Sequence, residues 1–119
     1  MPKIVKKDWV SKEQDQLQSS TIRIGILLLI RDSSSEDPIH GYSLSEKLLA
    51  FTYGEIDVSN ATFYAILRQL KLEGLVEQYE FPDDKRIYYR LTQAGEDACI
   101  TLINAWDRSY NYVKLLNAK

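Results

Sequence analysis

Residues 59 to 76, SNATFYAILRQLKLEGLV, decide how the rest of the chain is read. Ser59 carries the short acceptor side chain of an N-cap, and Phe63, Ile66, Leu67 and Leu70 follow at spacings that share one apolar face of a helix. Gly74 suits the left-handed position that closes a helix, so the stretch predicts a helix running to about Glu73. Immediately after it, Val76 to Phe81 and Arg86 to Leu91 are rich in Val, Ile, Tyr and Phe and are separated by Pro82-Asp83-Asp84-Lys85, which predicts a β-hairpin.

On the N-terminal side, Ser43-Leu44-Ser45-Glu46 has capping-box spacing. It predicts a helix from Ser43 to about Thr52, with Leu44, Leu48 and Leu49 on one face and Gly54 closing it. The run Ser33-Ser34-Ser35-Glu36-Asp37-Pro38 breaks the chain, and a further helix is predicted before it, from Ser19 or Ser20 to Arg31. Residues 1–18 are polar, with Lys3, Lys6, Lys7 and Lys12 around Trp9, and read as a mobile or partly helical basic arm. Helix, helix, helix, hairpin is the order of a winged helix-turn-helix, placed over residues 19–91. The fold class is mainly α with a small β-hairpin, an α+β arrangement.

Thr92 then caps a long helix over residues 93–116, within a C-terminal dimerisation segment of residues 92–119. Along it Cys99, Ile103, Trp106, Tyr110 and Val113 recur at alternating spacings of four and three, as in a coiled-coil seam. Leu102, Ala105, Tyr112 and Leu116 form a second stripe beside the first. So much apolar surface on one helix calls for a partner, and the simplest is a second copy of the chain.

Composition bounds the function. The 119 residues suffice for one domain with its own core, and 45% hydrophobic with 27% charged residues is ordinary for a folded protein. The single cysteine, Cys99, excludes an intrachain disulfide and a cysteine-cluster zinc site, so the cytoplasm is the expected compartment. The apolar stretch Ile22 to Ile30 is broken by Arg23 and is too short to span a bilayer. His40 is the only histidine, and it has no cysteine nearby and no nucleophile-and-base arrangement around it. It reads as a turn residue held by hydrogen bonds, and the chain offers no phosphate loop, no cofactor motif and no support for an enzyme.

Net charge is −2, which counts against nucleic-acid binding unless the binding face is locally different. Asn60, Tyr64 and Arg68 recur at intervals of four on the third helix, opposite its apolar stripe, with Lys71 close by. Amide, phenol and guanidinium groups hydrogen-bond base edges and phosphates, so the face suits DNA as well as it suits plain solvent. The hairpin adds Lys85, Arg86 and Arg90. Across residues 59–91, however, five basic side chains (Arg68, Lys71, Lys85, Arg86, Arg90) meet five acidic ones (Glu73, Glu77, Glu80, Asp83, Asp84), which makes the wing a weak anchor. The arm stands equally as a DNA contact or a solubilising tail. Trp106, with Tyr110 and Tyr112 near it, either packs shut in a dimer or leaves a slot for a planar molecule.

HGYSLSEKL at His40 to Leu48, SNATFYAILRQLKLEGLV at Ser59 to Val76 and RIYYRLTQAGE at Arg86 to Glu96 together resemble the PadR family of transcriptional regulators. The long helix with its tryptophan is similar to the short subfamily, whose members dimerise through that helix. The resemblance implies a homodimeric winged-helix repressor on a roughly palindromic operator. Its third helix enters the major groove, with Tyr64 on the family's recognition-helix tyrosine and Thr62 near it. It also implies that Trp106 stands where several short members use an aromatic residue to take planar ligands that weaken DNA binding. The chain departs from the family at Asn60-Ala61, often Pro-Gly, and at Asp83-Asp84-Lys85-Arg86, where the wing often carries Gly-Arg. The acidic wing tip keeps a second class of function open, a winged-helix protein-interaction module without DNA binding.

Overall fold

The computed structural model describes residues 8–119. The first helix, α1 (Trp9–Arg31), starts ten residues earlier than expected from the apolar pattern. Asp8 caps it, its carboxylate accepting the Ser11 N–H at 2.8 Å. No Gly or Pro interrupts residues 9–18, so the backbone continues as helix although Trp9, Val10 and Leu17 stay exposed. Apolar periodicity marks where a helix is buried, which here is Ile26, Leu27 and Ile30, and leaves its polar overhang unmarked. Of the expected mobile or partly helical arm, residues 9–18 are helical and Lys12 sits in α1, while Lys3, Lys6 and Lys7 lie outside the described residues.

After the serine break the chain forms β1 (Ile39–His40), a two-residue strand too short to leave a sequence pattern. Helix α2 (Gly41–Phe51) follows at once. Its N-cap is His40, not Ser43: the Ser43 N–H donates to His40 Nδ1 at 3.5 Å and the His40 N–H donates to Ser43 Oγ at 3.2 Å. The capping box therefore lies three residues upstream of its expected place, because His40 already has the extended backbone that a cap requires. His40 is hydrogen-bonded, but as a strand end and a cap. Tyr53 and Gly54, with φ of 54° and 80°, turn the chain out of α2.

Helix α3 (Asn60–Leu72) is capped by Ser59 as expected. It ends in a Schellman arrangement: the Leu75 N–H reaches Leu70 O, the Gly74 N–H reaches Lys71 O, and Gly74 takes φ +75°. Strands β2 (Val76–Phe81) and β3 (Asp84–Leu91) then form the wing, and β3 begins two residues before Arg86 because Phe81 pairs with Asp84 across a bulge. The sheet order is β1-β3-β2, all antiparallel, with Ile39 opposite Tyr89 and His40 opposite Tyr88.

Helix α4 (Gln93–Asn117) begins at a tight corner. Thr92 Oγ1 donates to Gly74 O at 2.6 Å and accepts the Gly95 N–H at 3.1 Å, while the Thr92 N–H donates to Leu75 O. Gly95 is needed there: a Cβ would lie 2.1 Å from Leu75 O. The core joins Ile26, Ile30, Ile39, Leu44, Phe63, Leu67 and Cys99, each Ile, Leu or Phe side chain removed from water at a gain of about 1.5–3 kcal/mol. Cys99 thus belongs to the chain's own core and not to an exposed seam, since α1 covers the first turns of α4. Further along, Ile103, Trp106, Tyr110 and Val113 are open to solvent. No helix of the described residues is long and apolar enough to cross a membrane.

Candidate nucleic-acid interface

On α3, Asn60, Tyr64 and Arg68 form one exposed stripe. The stripe flanks the apolar face and does not oppose it, because successive residues turn about 100° and Tyr64 directly follows the buried Phe63. Tyr64 is 45% exposed, its ring edge-on to Phe63 at 5.8 Å and laid against Gly41 at the start of α2. A Cβ at Gly41 would come within 2.7 Å of the Tyr64 hydroxyl, so the absence of a side chain there lets the phenol lie down. Thr62 is exposed but off the stripe, and its Oγ1 accepts from Ser59 Oγ at 3.0 Å within the cap. Arg68 makes no hydrogen bond or ion pair with any described residue.

An open groove separates the start of α2 from α3 and the wing, lined by Tyr42, Tyr64, Lys85, Arg86 and Ile87 among others. Tyr42 and Ile87 were not anticipated; an aromatic residue directly before the predicted helix start at Ser43 was the available signal. Lys85 lies in this groove, like Arg68 without a hydrogen-bond or ion-pair partner among the described residues.

The remaining expected cations are engaged within the chain. Lys71 Nζ donates to Gln78 Oε1 at 3.0 Å, tying α3 to β2. Arg90 Nε donates to Glu77 Oε1 at 2.7 Å across the β2–β3 ladder, and its guanidinium lies 4.8 Å from the Tyr79 ring. Arg86 forks onto Asp84, with Nε 3.0 Å from Oδ1 and Nη2 2.8 Å from Oδ2. The Tyr88 hydroxyl donates to the same Oδ2 in a short hydrogen bond. The guanidinium first, then the phenol, hold the Asp84 carboxyl far below the ordinary carboxylate range, and the carboxylate in turn pushes the Tyr88 phenol up. Strand alternation assigns these roles: Lys85, Ile87 and Tyr89 share one face of β3, and Asp84, Arg86, Tyr88 and Arg90 the other.

At the other end, Trp106 stacks on Tyr110 with centroids 5.2 Å apart and planes 13° from parallel, and Lys114 lies over the Tyr110 ring. Trp106 and Ile103 border an apolar groove against Ile24, Gly25 and Leu28 of α1.

The comparisons agree with this layout. The model of the transcriptional regulator PadR-like family matches residues 26–100. A protein of Lysinibacillus sphaericus, called Uncharacterized protein X, is 30% identical over 70 residues, which are 56% of this chain. The chain spans 64% of the length of that curated relative. A transcriptional regulator from Clostridium thermocellum superposes with a TM-score of 0.72 at 20% identity, over 83% of this chain and 92% of that one, a likeness of fold. A PadR family transcriptional regulator from Eggerthella lenta superposes with a TM-score of 0.71 at 26% identity over 90% of each chain. With three helices and a wing in the expected order and most of that unit matched, the chain belongs to the PadR-like family of transcriptional regulators.

Proposed function

We propose that this protein is a sequence-specific DNA-binding regulator that acts as a homodimeric repressor on a palindromic operator. The observation that carries the reading is the α3 stripe: Asn60, Tyr64 and Arg68 face outward together on a helix of recognition length, and Arg68 has no competing partner within the described residues. Asn60, Thr62, Tyr64 and Arg68 contact base edges or phosphates in the major groove, and Lys85 contacts phosphate from the wing. Lys71 and Arg90 lie behind them, steadying α3 and the hairpin through Gln78 and Glu77. Exposed Ile103, Trp106, Tyr110 and Val113 form the seam between two copies, and a two-fold dimer sets its recognition helices about 34 Å apart. A planar aromatic effector stacking at Trp106 would shift that spacing and release DNA.

The test is selection of fragments of the source genome by the purified protein, followed by gel shifts with the recovered sequence and the Arg68→Ala variant. A recurring inverted repeat, bound more weakly by a folded Arg68→Ala protein, is the expected result. Absence of any enriched duplex refutes the reading and favours the protein-interaction module, which the internal pairing of the Arg86 and Arg90 charges also fits.

A further inference from the structure

Arg86 is the one guanidinium that lines the groove beside Tyr64 and yet is held by a carboxylate of its own strand. Asp84 accepts from it three times over: the Arg86 backbone N–H at 2.9 Å, Nε at 3.0 Å and Nη2 at 2.8 Å. Three further features fix the arrangement. The Tyr88 hydroxyl, two positions along the same face, holds the carboxylate in place. The guanidinium lies 5.6 Å from the Tyr88 ring centre, and its Nη1 is 3.4 Å from His40 Nε2 at the end of β1. The carboxylate is the more enclosed partner, with 22% side-chain exposure against 61% for Arg86, so the anion cannot swing away when the cation is drawn toward another acceptor.

We infer that Asp84 is a positioning residue that withholds Arg86 from the DNA backbone, so that the wing engages phosphate through Lys85 alone. The inference rests on the DNA-binding reading above and adds a residue that lowers affinity. A bidentate carboxylate offers a guanidinium the same fork that a phosphate does. Transfer of Arg86 to DNA therefore exchanges one good pair for another and strands the Asp84 charge beside a polyanion. The pair as it stands is neutral and contributes no counterion release.

Asp84→Asn removes the charge and keeps an oxygen for the Tyr88 hydroxyl, so Arg86 becomes available. The experiment measures affinity for a mixed-sequence duplex of about 40 base pairs, long enough for two half-sites one turn apart, between roughly 50 and 200 mM salt. Wild type, Asp84→Asn and the double variant Asp84→Asn with Arg86→Gln are compared. Asp84→Asn is expected to bind more tightly, with a log-log salt slope steeper by about 0.9 per wing. Its advantage over wild type then shrinks about 3.5-fold per wing over that salt range. The double variant is expected to keep the wild-type slope, because it lacks a pair that never released counterions. If wild type binds and the Asp84→Asn slope is the same, the inference falls and the DNA reading stands. A double-variant slope shallower than wild type also overturns it, by showing Arg86 already on phosphate. If wild type binds no duplex even at the lowest salt, both fall together.

Discussion

Replacing Gly95 by alanine tests whether the long helix is locked to the recognition unit. The new methyl carbon would sit 2.1 Å from Leu75 O and 3.1 Å from its carbonyl carbon. Ordinary contact between such atoms is about 3.5 Å, so the first turn of α4 must retreat by about 1 Å or more. Retreat strains packing by about 1–3 kcal/mol and loosens the Thr92 N–H bond to Leu75 O, worth about 1 kcal/mol. Alanine's better helix propensity returns at most about 1 kcal/mol. The net loss is about 1–3 kcal/mol, which for a chain of this size lowers Tm by about 4–12 °C at fixed protein concentration. Thermal melting followed by far-ultraviolet circular dichroism measures it directly. A Tm equal to or above wild type would refute the reasoning, because it would mean that α4 does not press on the Leu75 carbonyl and has no fixed seat against the end of α3.

Gly41→Ala should act on function more than on stability: its methyl displaces the Tyr64 ring, and affinity for the selected operator should fall about tenfold, about 1.4 kcal/mol, with Tm nearly unchanged. Equal affinity would show that the resting place of Tyr64 against α2 is irrelevant to binding. Ile103→Asp puts a charge into the proposed seam and should yield monomers in sedimentation velocity, whereas an intact dimer would move the interface elsewhere. Burial pushes the Cys99 thiol up, so native protein should react with iodoacetamide far more slowly than unfolded chain, and rapid reaction would contradict its place in the core. The raised Cys99 and Tyr88 groups bind protons more tightly folded than unfolded, so stability is full below their ordinary values and falls above about pH 8.5. The depressed Asp84 group works in the opposite sense: its contribution is present above the ordinary carboxylate range and is lost as the solution is made strongly acid. Urea melts across pH check both limbs, and a flat alkaline limb would refute the first.

Where local chemistry was sufficient, the residues announced the structure. Ser59 and Gly74 bounded α3, Thr92 opened α4, and the β-rich runs either side of Pro82 made the wing, because caps and turns are decided by a few adjacent atoms. The overhang of α1 and the two-residue β1 were not legible. The first lacks apolar periodicity, its apolar residues Trp9, Val10 and Leu17 being exposed, and the second exists only because β3 offers Tyr88 and Tyr89 as partners. Which charges are available was likewise decided by the assembled sheet. Lys85, Arg86 and Arg90 read alike as cations, but although Lys85 and Arg86 both border the groove beside Tyr64, Arg86 is paired with Asp84 on its own face of β3 and Arg90 with Glu77 across the ladder. Cys99 shows the same division: its spacing matched Ile103 and Trp106, and only the packing of α1 over the first turns of α4 made it core while its neighbours on the seam stayed open. The sequence by itself determined the order of elements and the composition of the α3 stripe, through capping and periodicity. Tertiary structure decided which of those side chains are free, because availability depends on neighbours that are distant along the chain.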